Sequence, residues 1–339
     1  MTYLVLNPKT LDTDIAAIKK HVEKPNSFVV FIEVTNKKVA DKFAMPFSVP
    51  GSKASTYDNC YFIDPQHSYS GVPGDLLEPQ DFNKPTSAIK YTYCNSQLIF
   101  NAVPPNSDIL YVIEKPDMDS IGALTLCKWI LESTNGDILL TSDEVARIND
   151  IHNVDCWVMP TEWNPDHIQE FTIKWTNILG ACISDRNLPI EEKIRWMETF
   201  ILKGKLPEQY KTQVEAEYQL LQQATIETLN GITVVTSQAR GASGLIYKQS
   251  PYGIAYSKNF NGKGEKFSVM QFKSGYIDLA RFWGHMNTNY PESSGTWGGG
   301  ANAGGSPIPC KLSKELVAAE LAKFIITTPV VNYPESNVC

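Results

Sequence analysis

The segment Pro116-Asp117-Met118-Asp119-Ser120-Ile121-Gly122 sets two carboxylates at i and i+2, between a predicted strand and a predicted helix. Alternate side chains of an extended segment share a face, so both acids can aim oxygen at one hard cation. The plainer alternative is a helix N-terminus, where acidic residues are favoured anyway. A second group, Asn149-Asp150-Ile151-His152-Asn153-Val154-Asp155, places His152 and Asp155 at i and i+3, on one side of a helix if 147–155 is helical. Histidine with carboxylate suits manganese or zinc; the alternative is a helix cap beside a satisfied polar residue. A third group, Asp64-Pro65-Gln66-His67, follows a predicted strand directly. The candidate metal ligands are therefore Asp64, His67, Asp117, Asp119, His152 and Asp155, with Asp117 and Asp119 as the candidate catalytic pair. Acids gathered at several strand and helix ends are what a two-metal phosphoesterase requires.

A different chemistry is suggested near the C-terminus. Six of the thirteen residues in Gly295–Pro307 are glycine, and the large residue among them is Trp297. Glycine lets backbone amides come close to a ligand, and successive amides in tight turns make concave anion sites. Gly298, Gly299, Asn302, Gly304 and Gly305 are thus candidate substrate contacts, and Arg240 is a candidate phosphate contact. The alternatives are a slack surface loop and a surface arginine at a strand end.

The elements that must hold these residues alternate. Strands are predicted at 3–6, Phe28 to Val34, Tyr61 to Ile63, Leu110 to Ile113 and Ile138 to Leu140. Helices are predicted at Asp12 to Val22, Ala88 to Phe100 and Ser120 to Glu132, with Gly122 allowing that last helix close to the sheet. Such alternation indicates an α/β fold with a largely parallel sheet, in which ligands bind beyond the strand C-termini. Residues 161–230 read as a helical connector, with helices at Glu191 to Leu202 and Glu208 to Leu229. Trp163, Trp175 and Trp196 there read as packing. From Gly231 four short strands follow, at 232–236, 244–247, 253–256 and 267–272, with a helix at Ile277 to Trp283 and another after Ser313. The division is a 1–160 catalytic-type lobe, the 161–230 connector, a smaller 231–329 α/β domain with a mixed sheet, and a 330–339 tail.

Composition narrows the class. The chain has 339 residues, 42% of them hydrophobic and 20% charged, enough to bury real cores. A net charge of −7 argues against broad adhesion to duplex nucleic acid or to anionic membrane. The seven cysteines include no C-x-x-C pair, which argues against a zinc ribbon or a disulfide scaffold. There is no basic-then-apolar leader and no membrane-length apolar run, so a cytoplasmic setting is expected. No G-x-x-x-x-G-K-[ST] loop, G-x-S-x-G elbow or strand-linked G-x-G-x-x-G occurs, which sets aside P-loop, α/β-hydrolase and Rossmann chemistry.

The order strand, Pro116-Asp117-x-Asp119-Ser120-Ile121-Gly122, helix, helical connector, then Trp297-Gly298-Gly299 followed by Gly304-Gly305-Ser306-Pro307 resembles the DHH phosphoesterase superfamily with its C-terminal DHH-associated domain. The resemblance spans about 105–328. Asp117 and Asp119 match the acidic pair of the family's first motif, and Asp155 looks like its isolated aspartate. The resemblance implies a two-lobed protein with Mn2+ or Mg2+, up to two ions, in the N-terminal lobe. It also implies a glycine loop that holds a small nucleotide, short oligonucleotide or cyclic dinucleotide, and it leaves room for a homodimer. Three departures stand out. The region of the first-motif histidine reads Ile113-Glu114-Lys115-Pro116, without a histidine, and no Asp-His-His occurs, with Asp64-Pro65-Gln66-His67 as nearest counterpart but lying before Asp117. Gly300 stands where the glycine loop carries its histidine. Either the catalytic lobe is rearranged and hydrolyses a phosphoester, or the chain is a relative that binds a nucleotide or protein without turnover.

Overall fold

A computed structural model describes residues 2–34, 36–43, 57–63, 87–155, 163–167, 175–239, 242–272, 276–299 and 303–327. The chain divides into two compact units, Met1–Val158 with Lys174–Lys211, and Met159–Ile173 with Thr212–Cys339. Among the described residues, no helix is long and apolar enough to cross a membrane.

The first unit contains β1 (Thr2–Val5), α1 (Leu11–Val22), β2 (Ser27–Ile32), α2 (Lys37–Phe43), β3 (Cys60–Ile63), α3 (Ala88–Cys94), α4 (Ser96–Ala102), β4 (Asp108–Ile113), α5 (Met118–Glu132), α6 (Ser142–Asp155), α7 (Trp175–Ser184) and α8 (Ile190–Lys203). Its sheet runs β1-β4-β2-β3, and every pairing is parallel. β2 is buried along its whole length, which its run of Phe, Val and Ile requires of a strand covered on both faces. Phe28, Val30 and Ile32 pack with residues of α3 to α8, while Val29 and Phe31 pack with α1 and α2. Each such fully buried side chain contributes roughly 1.5–3 kcal/mol. Helices α7 and α8 supply Leu179, Ile183, Met197 and Phe200 to this core, and Trp175 stacks on Phe200 with ring centroids 4.6 Å apart.

The second unit contains α9 (Lys211–Gln222), β5 (Thr225–Leu229), β6 (Ile232–Thr236), α10 (Ala242–Tyr247), β7 (Tyr252–Ser257), β8 (Lys266–Gln271), α11 (Leu279–Asn289), β9 (Gly298–Gly299), β10 (Ala303–Gly305) and α12 (Lys314–Thr327). Its mixed sheet has the order β5-β6-β7-β8-β10-β9, and β6 with β7 is the parallel pair. One face carries α11 and α12 through Phe282, Met286, Val317 and Leu321. The other carries α10 through Ile246 and Tyr247.

Several sequence expectations are corrected here. The stretch 208–229 is not one helix: α9 stops at Gln222 and β5 follows. Leu229 pairs with Ile232 across Asn230 (φ 51°) and Gly231 (φ 78°), a two-residue Asn-Gly hairpin that the helical periodicity overran. Residues 244–247 form α10 rather than a strand, because Ala242 and Ile246 bury one helical face. Ala88 to Phe100 breaks into α3 and α4 at Asn95, whose amide Nδ2 donates to Tyr91 O over 2.9 Å. Residues 138–140 alternate in burial, with Leu139 96% exposed between two core-packed neighbours, yet pair with no strand among the described residues. Gly122 faces a helix rather than the sheet: a Cβ there would collide with Ile89 of α3.

Candidate metal centre

β2 and β4 lie side by side with Ile32 opposite Ile113, so the chain leaves the sheet from both strands at the same level. Glu33 is the first residue beyond β2, and Asp119 lies in the first turn of α5, just beyond β4. Asp155 ends α6. Carboxylate oxygens of Glu33, Asp119 and Asp155 all lie within 4.8 Å of one another. This is the strand C-terminal position where open α/β sheets bind ligands.

Each acid is held by local structure. The turn into α5 is locked by a capping box: Ser120 N–H donates to Asp117 Oδ1 and Asp117 N–H to Ser120 Oγ, both at 3.0 Å. Ser120 Oγ also donates to Lys115 O at 2.9 Å. Asp119 is 1% exposed, and its two oxygens accept the N–H groups of Ala88 (2.6 Å) and Ile89 (2.9 Å) at the start of α3. Glu33 donates its own backbone N–H to Ile63 O at 2.9 Å and sits at φ 49°. That left-handed conformation costs a non-glycine residue roughly 1–2 kcal/mol.

The electrostatics share one cause. Burial, then Asp119 and Asp117, push the Glu33 carboxyl up to about 10. Burial, again followed by Asp119 and Asp117, lifts Asp155 to about 7, with Lys115 opposing. Burial also raises Asp119, resisted by the Ile89 and Ala88 N–H groups. The Asp119 charge opposes ionisation of Glu33 and Asp155, while a hydrogen bond from Glu33 favours that of Asp119; a cation among the three would stabilise all of them as anions. The donors are all oxygen, which suits a hard divalent ion such as Mg2+ or Mn2+. The residues present fit that group.

The sequence-derived candidates fall into distinct places. Asp119 and Asp155 meet in the cluster. Asp117 caps α5 and acts on the cluster through its charge. His152 is not in the cluster; its Nδ1 receives the Ser87 N–H at 3.3 Å, and burial and then Lys90 lower its pKa. Asp64, His67, Arg240 and Asn302 lie outside the described residues. Glu33 is the member that sequence reading missed. The signal was present, since it is an acid directly beyond the most apolar strand, but Val34 extends the apolar run and disguises Glu33 as strand interior.

The glycine stretch forms a hairpin, β9 against β10, with Gly304 opposite Gly299 and Gly305 opposite Gly298. Three of its glycines are packing requirements. A Cβ on Gly304 would lie 2.6 Å from Trp283 Cζ2; Gly305 abuts Phe267 O; Gly299 abuts Gly304 and has φ 156°. Gly298 faces open space. Beneath them Trp297 is pinned by Asn287, whose Oδ1 accepts Trp297 N–H at 2.7 Å and whose Nδ2 donates to Trp297 O at 3.0 Å.

No family model matches the chain. No curated protein matches it either. Among solved structures, the pGpG-specific phosphodiesterase PggH from Vibrio cholerae aligns over 88% of this chain and 99% of its own, with 11% identity and a TM-score of 0.42.

Proposed function

We propose that the chain is a divalent-metal-dependent phosphoesterase acting on a small nucleotide, short oligonucleotide or cyclic dinucleotide. The observation that carries this is the cluster of Glu33, just beyond β2, Asp119, in the first turn of α5 after β4, and Asp155, at the end of α6. The resemblance of Pro116–Gly122 and Trp297–Pro307 to DHH phosphoesterase motifs supports the same reading.

Glu33, Asp119 and Asp155 would hold the ion. When bound, a divalent ion polarises a phosphoryl oxygen and makes its water more acidic. The protein's own part is positioning. The Ala88 and Ile89 N–H groups fix both oxygens of Asp119, so its orientation is set before any ligand arrives. The Asp117–Ser120 capping box keeps the β4–α5 turn from shifting.

The test incubates the protein with Mn2+ or Mg2+ and a panel of linear dinucleotide, cyclic dinucleotide, short oligonucleotide and nucleoside monophosphate. Hydrolysis of at least one is expected, abolished by chelation. Asp119→Asn and Asp155→Asn should each lower it by more than the roughly 10–100-fold typical of outer-shell changes. Turnover that persists with chelator, or in both variants, rejects the mechanism. Metal binding without turnover on any substrate would favour a nucleotide-binding relative.

A further inference from the structure

The turn that joins β7 to β8 reads Ser257-Lys258-Asn259-Phe260-Asn261-Gly262-Lys263-Gly264-Glu265-Lys266. Three lysines surround one aromatic ring, in a chain whose net charge is −7. Lys258 and Lys263 are exposed, and Phe260 and Lys266 are half-buried. Lys266 Nζ sits over the Phe260 ring, 4.1 Å from its centroid. Among the described residues, none of these lysines makes an ion pair. The one acid of the loop is engaged elsewhere. Tyr256 stacks on Phe267, its partner across the ladder, with ring centroids 4.8 Å apart, and Glu265 hydrogen-bonds to the Tyr256 side chain. Successive strand residues face opposite ways, so Lys266, paired with Ser257, lies on the other face of the sheet from Tyr256 and Phe267. The cations are left to meet an outside anion.

The loop is also held in one shape. Phe260 N–H donates to Gly264 O at 2.8 Å, and Lys263 N–H to Phe260 O at 3.0 Å. Asn261 at φ 52° and Gly262 at φ 72° close the turn between them. Gly264, at φ 105°, packs so tightly that a Cβ would lie 2.8 Å from Pro309 Cβ. Cys310 N–H donates to Glu265 O at 2.9 Å. A surface ordered before binding loses little entropy on association. The loop leaves the C-terminal end of β7, beside that of β6, its parallel neighbour. Open α/β sheets bind ligands beyond such ends.

Lysines alone would take any anion. A ring among them adds a stacking surface, which suits unpaired bases, whereas a duplex keeps its base faces within its own stack. The net negative charge of the chain disfavours attachment of a polyanion at large. We propose that the β7–β8 loop binds single-stranded nucleic acid, with Lys258, Lys263 and Lys266 on its phosphates and Phe260 against a base. The site belongs to the second unit alone and needs neither the metal nor turnover.

Fluorescence anisotropy of the full chain with a labelled strand of about 12 nucleotides, in excess EDTA and from about 50 to about 200 mM salt, tests this. EDTA removes metal-dependent cleavage from the reading. Single-stranded RNA and DNA should bind with a Kd of roughly 1–100 μM, and three phosphate contacts should give a log–log salt slope of about −2. Lys258→Ala combined with Lys263→Ala should bring that slope to about −0.7 and weaken binding about 10-fold or more at the lowest salt. Phe260→Leu, which keeps an apolar side chain, should leave the slope unchanged and weaken binding about 5-fold or more. No saturable binding, or either variant binding like the wild type, overturns the inference. So does a duplex of the same sequence, or an oligoglutamate of equal charge, bound as tightly as the single strand. Retained binding with no hydrolysis of any nucleotide in the panel would reject the phosphoesterase reading and leave this site standing.

Discussion

Glu33 bears two costs: a left-handed backbone and a carboxyl beside two other acids. Neither helps folding, which is the pattern expected where structure is strained for function. The second cost has a pH signature. Glu33 is held up to about 10 from an ordinary 4.5. The folded protein keeps a proton that the unfolded chain releases near 4.5, so folded protein binds more protons across that window. Stability from this group is therefore complete below 4.5 and is lost as pH rises towards 10. Asp155, raised from 3.8 to about 7, acts in the same direction at lower pH. Glu33→Gln keeps the shape and an N–H donor towards Asp119 but cannot ionise. Metal-free wild type and Glu33→Gln should melt together at acid pH, and the variant should melt higher as pH rises. A gap of ~1 kcal/mol would appear as about 2–4 °C in a unit of this size. Melting curves that stay parallel from acid to alkaline pH would contradict the electrostatic reading of the cluster.

The elements divide by how far their own residues specify them. β2, β4 and α5 were legible because an apolar run, a turn and a capped helix agree locally. β5 was hidden: Thr225–Leu229 continues a helical-looking stretch, and only the Asn230-Gly231 turn betrays a hairpin. The glycine stretch was legible as special, but its main physical demand is close packing on Trp283 and Phe267. The hairpin gives a paired test. Gly304→Ala places a methyl 2.6 Å from Trp283 Cζ2, and should shift the tryptophan fluorescence and destabilise the second unit by about 1–3 kcal/mol, the range for overpacking. Gly298→Ala meets open space and should leave both readings near wild type. Equal effects from the two changes would contradict the hairpin packing.

At the scale of the whole molecule, the acidic site draws on residues 33, 119 and 155, brought together by the parallel order β1-β4-β2-β3. Sequence could nominate Asp119 and Asp155 from their neighbours. It could not nominate Glu33 with them, because that pairing exists only once β2 lies beside β4. The central claim is that these carboxylates form a divalent-metal site whose protons leave as the ion enters. Calorimetric titration of Mn2+ into the protein at pH 7, in two buffers of different ionisation enthalpy, measures affinity and released protons together. Saturable binding with between one and two protons released per ion is predicted, supplied by groups held at about 10 and about 7. Absence of binding, or binding with no proton released, would contradict it.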